Sequence, residues 1–223
     1  MLPFPGGIEA LPNGLLIFSA AAASLYFFII PQPSSPKRAV VKTLSIALLV
    51  CAALVSGGPL VLIVALALAS AGDFLLAMDG DAMFQAGLSS FLLAQIALVI
   101  LFAGQYGDEP MRWASEPWRA LPALACAAHS VYLARILWRK LPRELGAQIV
   151  AYALVITVMA LFALAYAPLM VLAGVTLFYV SDTLIAHERF LLEGDINRHP
   201  VISPLIWVTY YVAQTLITLG VLL

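Results

Sequence analysis

The sequence predicts an all-α integral membrane protein of eight transmembrane helices, and three observations carry that prediction. Of 223 residues, 63% are apolar and 10% are charged, whereas an ordinary soluble domain has about a quarter of its residues charged. The mean hydropathy is +1.02. Apolar stretches of the ~20 residues that a helix needs to cross the hydrocarbon recur along the chain, separated by short breaks rich in Pro, Gly and charge. The same figures exclude a disordered chain and a disulfide scaffold. They also exclude a nucleic-acid binder, because 11 Lys plus Arg against 12 Asp plus Glu leave no basic surplus to neutralise phosphates. Cys51 and Cys126 stand apart in apolar stretches, with no Cys-x-x-Cys pair for zinc or redox work.

The spans follow in order as one transmembrane domain. The first, 13–30, has no Lys or Arg before it and Lys37 and Arg38 after it, so it reads as a retained helix with its N-terminus outside, not as a secretory signal. The second, 40–57, and the third, 59–78, form one long apolar run cut only by Gly57, Gly58 and Pro59, residues that end helices. The fourth covers 84–104. A loop over 105–117 follows, with Trp113 as an interface anchor, and leads into the fifth span, 118–138. Arg139, Lys140 and Arg143 separate that span from the sixth, 144–166. Ala167 and Pro168 cut the sixth from the seventh, 168–187, and the eighth covers 201–222.

Lys and Arg in short loops stay on the cytoplasmic side. With eight spans, the loops after the first, third, fifth and seventh share one face. Nine of the 11 basic residues lie in or beside those loops, namely Lys37, Arg38, Lys42, Arg135, Arg139, Lys140, Arg143, Arg189 and Arg198, while Arg112 and Arg119 fall on the other face. Both termini are therefore expected on the non-cytoplasmic side.

Two acidic residues are forced by the periodicity into the bilayer. Asp73 lies in ALASAGDFLLAM on the third span and Asp182 in LFYVSDTLIAHERF on the seventh. Each precedes an acidic residue at the cytoplasmic mouth, Asp79 or Glu188, by six positions, which places it about 9 Å inside at 1.5 Å per residue. Their flanks share the pattern D-x-L-[LI]-A, and Ala94-Gln95 and Ala213-Gln214 echo one another on the following helices. This suggests two parallel four-helix halves related by an axis along the membrane normal.

An unpaired carboxylate in the bilayer is costly, so it faces a bundle interior or a wet cavity. A purely structural arrangement would pair Asp73 with Lys42 and give Asp182 a hydrogen bond from Ser181 or a tyrosine. Two aspartates at one depth, with a basic group and polar aromatics nearby, point instead to a cavity open to the cytoplasmic leaflet. Helical spacing adds Tyr210 and Gln214 on one face of the eighth span, with Tyr211 three residues from Gln214, and Gln148 and Tyr152 on the sixth. Gly72, Gly87, Ser89, Ser90, Gly174 and Ser181 are small enough to let helices approach closely. No metal site is expected, since His129, His187 and His199 have no ligand spacing and His187 is turned away from the face of Asp182. No G-x-S-x-G elbow is present either.

The strings SAGDFLLAMDG, FQAGLSSFLLAQ, AYALVITVMA, FYVSDTLIAHERF and TYYVAQTLI, in this order on successive spans, resemble the YhhN or lysoplasmalogenase family of multi-pass membrane proteins. Two departures stand out: Lys42-Thr43 where a Lys-Pro is usual, and Gln95 where a His is usual. The resemblance implies a hydrolase that cleaves the vinyl ether bond of a lysoplasmalogen into a fatty aldehyde and glycerophosphoethanolamine or glycerophosphocholine. It implies no cofactor, a lysophospholipid substrate, and a bacterial inner membrane as the location. Such a bond breaks after a proton reaches its β carbon and water captures the resulting cation, which is the logic of inverting glycosidases. Asp73 and Asp182 then share the roles of acid and base, in an order the sequence leaves open. Lys42 contacts the lipid phosphate or pairs with Asp73. Gln95, Tyr152, Ser181, Tyr210, Tyr211 and Gln214 support the site. The rival expectations are a proton-coupled transporter of a small metabolite or lipid, and a hydrolase of another lysolipid.

Overall fold

A computed structural model describes residues 2–108, 110–113, 115–191 and 200–223. Arg198 and His199, which entered the expectations for orientation and metal binding, lie outside the described residues. Among the described residues there are eight α-helices and no strands: α1 (Leu11–Ile29), α2 (Pro36–Val55), α3 (Leu60–Leu76), α4 (Asp81–Tyr106), α5 (Ala120–Lys140), α6 (Arg143–Tyr166), α7 (Leu169–Phe190) and α8 (Ile202–Leu222). All but α3 are long and apolar enough to cross a membrane. The chain is thus a multi-pass membrane protein. At 17 residues, α3 is apolar but sits at the short end of the spanning range.

Helix boundaries follow local chemistry. The second helix starts four residues earlier than hydropathy alone places it, because Ser35 is its N-cap and Pro36 its first residue. The Ser35 side chain accepts from the Arg38 N–H at 3.3 Å, and Pro at the first position gives up no hydrogen bond. This moves Arg38 from the expected loop onto a helix. The break after α2 is a Schellman turn: Gly57, at φ 68°, donates to the Leu54 carbonyl and Gly58 to that of Ala53, after which Pro59 opens α3.

The junction of α6 with α7 is held from the loop before α5. Arg119, fully buried, donates from Nη1 to the Ala167 and Leu164 carbonyls at 2.9 and 3.3 Å. Arg112 Nε donates to the Tyr166 carbonyl and Trp113 Nε1 to that of Leu164. Trp113, expected as an interface anchor, also caps the end of a helix, and the two arginines meet the carbonyl end of α6, where positive charge is favoured.

Helices α2, α3, α4, α6, α7 and α8 form a closed ring in which each packs on the next and α8 returns to α2. Outside it, α1 lies against α2 and α8, and α5 against α6. Ile46, Leu49, Leu62, Phe102, Phe178 and Ile217 are fully buried between the helices, while Phe18, Phe28, Leu121, Leu124 and Leu154 face outward. An apolar exterior around a packed interior is what lipid as solvent demands. Small residues set the closest approaches. A Cβ on Gly72 would lie 2.7 Å from the Phe91 ring, and one on Gly174 would lie 2.8 Å from the Ile217 side chain and 2.9 Å from its backbone nitrogen. The Ser90 hydroxyl donates to the Leu68 carbonyl, joining α4 to α3. Ser89 departs from this pattern: it is exposed and bonds within α4 and to Gln148 of α6.

Because backbone atoms of Ile217 and Ala213 face Gly174 as well as the Ile217 side chain, Gly174→Val should destabilise the protein by about 1–3 kcal/mol. Gly14, with open space around it, should tolerate Ala with no loss. Thermal unfolding in detergent compares the two.

Candidate functional site

Inside the ring lies a cavity of about 280 Å³, and both intramembrane aspartates line it. Its walls come from every helix of the ring, with Tyr26 of α1 and Ile30 just after it added. The mouth is framed by Met78, Asp79 and Gly80 between α3 and α4 and by Arg189 and Phe190 at the end of α7. Deeper in, Leu88, Phe91, Ile149 and Trp207 give apolar surface.

Asp73 is almost wholly buried, and α3 delivers it against α2 on one side and α8 on the other. The Lys42 ammonium lies 3.1 Å from Oδ1, and the Tyr210 hydroxyl donates to Oδ2 at 2.7 Å. The tyrosine is fixed by ring contacts with Phe91, Phe178 and Trp207. Of the two roles open to Lys42, phosphate contact or pairing with Asp73, the geometry provides the second.

Asp182 has a different setting. Its Oδ2 accepts from the Tyr152 hydroxyl at 2.7 Å and from Gln95 Nε2 at 2.8 Å, and the same Gln95 nitrogen donates to the Tyr152 oxygen at 2.8 Å. This triangle ties α7 to α4 and α6. No cation lies within ion-pair distance of Asp182 among the described residues, and its Oδ1 makes no hydrogen bond there. The two acids are therefore chemically distinct: one faces a cation, and the other is held by neutral donors with one oxygen free.

The family model for the YhhN family matches residues 37–221, most of the chain. The chain belongs to the YhhN family. No curated protein and no solved structure matches it. The matched region contains all but the end residues of the ring and leaves out α1 entirely, so the aspartate pair and its donors are within the part that matches the YhhN family.

Two expected site residues of this YhhN chain, Tyr211 and Gln214, do not line the cavity, and a third, Ser181, lines it with its hydroxyl engaged elsewhere. Ser181 lines the cavity, but its hydroxyl donates to the Ile206 carbonyl of α8, not to Asp182, because its i−1 position rotates it toward the neighbouring helix. Tyr211 is one residue round from Tyr210 and points to α1, where its hydroxyl meets Ser19 at 2.9 Å; it does not line the cavity. Gln214 is buried one turn from Tyr210 and does not line the cavity. Gln148 also departs from the cavity: it is half-buried and bonds to Ser89 and the Gln85 carbonyl. The stacked rings of His129 and His187, 6.3 Å apart, lie between α5 and α7, and neither lines the cavity.

Sequence reasoning missed Tyr26, Arg38 and Trp207. Trp207 ties α8 to α1 through its indole N–H, which donates to the Ala23 carbonyl at 2.9 Å, and its ring meets that of Tyr26 at 4.5 Å. The signal for Trp207 was present, since it precedes Tyr210 by three residues and so shares its face. Arg38 likewise precedes Lys42 by four, a relation visible only once the helix is started at Pro36.

Removing one partner of a buried ion pair leaves the other charge uncompensated, a loss of about 3–5 kcal/mol. Lys42→Met should therefore destabilise the folded protein by about that much, and Lys42→Met combined with Asp73→Leu should recover most of the loss. Unfolding in detergent of both single variants and the double variant gives the cycle. Additive losses would show that the pair is not coupled.

Proposed function

We propose that this protein is a membrane hydrolase cleaving the vinyl ether bond of a lysoplasmalogen, releasing a fatty aldehyde and a glycerophospho-base. The observation that carries this reading is one cavity with two carboxyl groups in unlike settings, the arrangement that acid and base roles require. Membership of the YhhN family supports it, as does a largely apolar cavity whose volume suits a head group and the first carbons of a chain.

The roles follow from the partners. Asp73, with Lys42 against it, is the carboxylate. Asp182 is the acid, and the free Oδ1 carries its proton because Oδ2 is already engaged by two donors. That proton passes to the β carbon of the enol ether, and the electron pair of the double bond forms the new C–H bond. The oxocarbenium ion left behind is stabilised by the Asp73 carboxylate. Water adds to the cationic carbon and gives its proton to Asp73. The hemiacetal then collapses to aldehyde and glycerol hydroxyl, and proton exchange with water resets both acids. Tyr210 and Tyr152 hold the two carboxyl groups in place, and Gln95 fixes Tyr152.

In the membrane we place the loops after α1, α3, α5 and α7 on the cytoplasmic side, with α3 as an eighth span, both termini outside and the cavity mouth facing the inner leaflet of a bacterial cell membrane. The excess of Lys and Arg at that end supports this orientation. The two halves read as a repeat in which each acid is gripped from the opposite half: Asp73 by Tyr210, and Asp182 by Gln95.

Purified protein in detergent should release aldehyde from an alkenyl lysolipid and leave acyl and alkyl analogues uncut. Asp73→Asn and Asp182→Asn, while still folded, should each lose at least ~100-fold of the rate, since general acid–base groups supply about that much or more. Retained aldehyde release in either variant would show the two-acid mechanism to be wrong. Cleavage of the acyl analogue would move the reaction to another lysolipid. Uptake in sealed vesicles without any product would make the protein a carrier.

A further inference from the structure

Three cations line the cavity: Arg38, Lys42 and Arg189. Lys42 faces Asp73, and Arg189 at the mouth faces Asp81 at 3.4 Å with its guanidinium over the Phe84 ring. Arg38 has no carboxylate within ion-pair reach among the described residues, although it is 9% exposed. Its hydrogen bonds are long and neutral: Nη1 donates to the Gln32 carbonyl at 3.2 Å and Nη2 to the Tyr26 hydroxyl at 3.3 Å. Its Nε is buried with no hydrogen-bond partner among the described residues. A guanidinium cannot shed its charge by losing a proton, so its burial beside a cavity calls for an anion.

We propose that Arg38 is the anchor for the phosphate of a single-chain phospholipid, with the ligand supplying the countercharge that no described carboxylate supplies. This rests on the lipid reading of the cavity given above. The guanidinium fork matches a phosphate's oxygens, and an N–H that no described group occupies is a donor held for one of them. Position agrees with the role. Arg38 is one turn before Lys42 on α2, about 6 Å nearer the end of the helix at which the cavity opens. A lysophospholipid seated there places its phosphate at Arg38 while the glycerol carbons carry the ether inward toward the two aspartates. Lys42, already committed to Asp73, is left to the chemistry. The Tyr26 ring lies under both cations, 5.7 Å from the Arg38 guanidinium and 6.0 Å from the Lys42 ammonium, and holds them on one wall.

The test measures binding, which needs no turnover and so stands apart from the hydrolase reading. Radiolabelled alkyl-ether lysophosphocholine, which has phosphate but no cleavable double bond, is compared with the matching alkylglycerol, which has no phosphate. The unaltered protein should bind the phosphate-bearing lipid at least ~10-fold more tightly, as a charge-assisted hydrogen bond predicts. Arg38→Met should lose most of that preference while its affinity for alkylglycerol changes less than about twofold. Arg38→Lys, which keeps the charge but not the fork, should lie between the two. Equal binding of both lipids by the unaltered protein, or an undiminished preference in Arg38→Met, would overturn the assignment. Inorganic phosphate alone is the third probe. Should it displace the lipid fully, the ligand is a free anion and not an amphiphile, which also overturns the proposal. A protein that shows the phosphate preference but releases no aldehyde keeps Arg38 in this role and loses only the hydrolase reading.

Discussion

Carboxyl groups set inside a bundle of apolar helices have to be met by donors there, because no water lies in the hydrocarbon to solvate them. That constraint organises this molecule. Asp73 draws Lys42 of α2 and Tyr210 of α8 toward α3, and Asp182 draws Gln95 of α4 and Tyr152 of α6 toward α7. Every helix of the ring thus supplies an acid or one of its partners. Apolar contacts fill the remaining space, but in lipid they do not by themselves drive helices together. The polar pairs give the ring its specificity, and the cavity is the room left between them.

The two settings divide the chemistry. A cation and a phenol hold Asp73 with scarcely any exposure, while neutral groups hold Asp182 by one oxygen and leave the other toward the cavity. A pair built only for packing has no need of such asymmetry, nor of a lined space between the acids. The same logic extends to Arg38, a buried charge with no carboxylate partner among the described residues.

Much of this was legible in the sequence, for reasons that can be named. Charge is so scarce in this chain that two aspartates among apolar neighbours identify themselves, and four-residue spacing connects Tyr210 to the same helix face as Gln214. Hydropathy could not show where α2 begins, since Ser35 and Pro36 mark that start through capping and not through apolarity, and apolarity alone therefore puts Arg38 in a loop. Nor could spacing on one helix tell Tyr210 from Tyr211, which differ by about 100° of rotation and so meet different neighbours. Arg112, Trp113 and Arg119 read as surface residues of an outer loop; their hold on the carbonyls of α6 depends on a fold-back that no local pattern announces.

The hydrogen bonds around the acids also bear on how the protein is made. Chains are threaded into a membrane from the N-terminus, and a domain acquires its structure as the chain emerges. When α3 enters, α2 with Lys42 has already been synthesised, so Asp73 finds its countercharge within a hairpin of adjacent helices. When α7 enters, α4 and α6 have gone before it, and Asp182 arrives to find both Gln95 and Tyr152 in place. Only Tyr210 comes after the acid it serves. Each carboxyl group therefore has its first partner upstream in the chain, and neither has to wait in the bilayer for a later segment to relieve it.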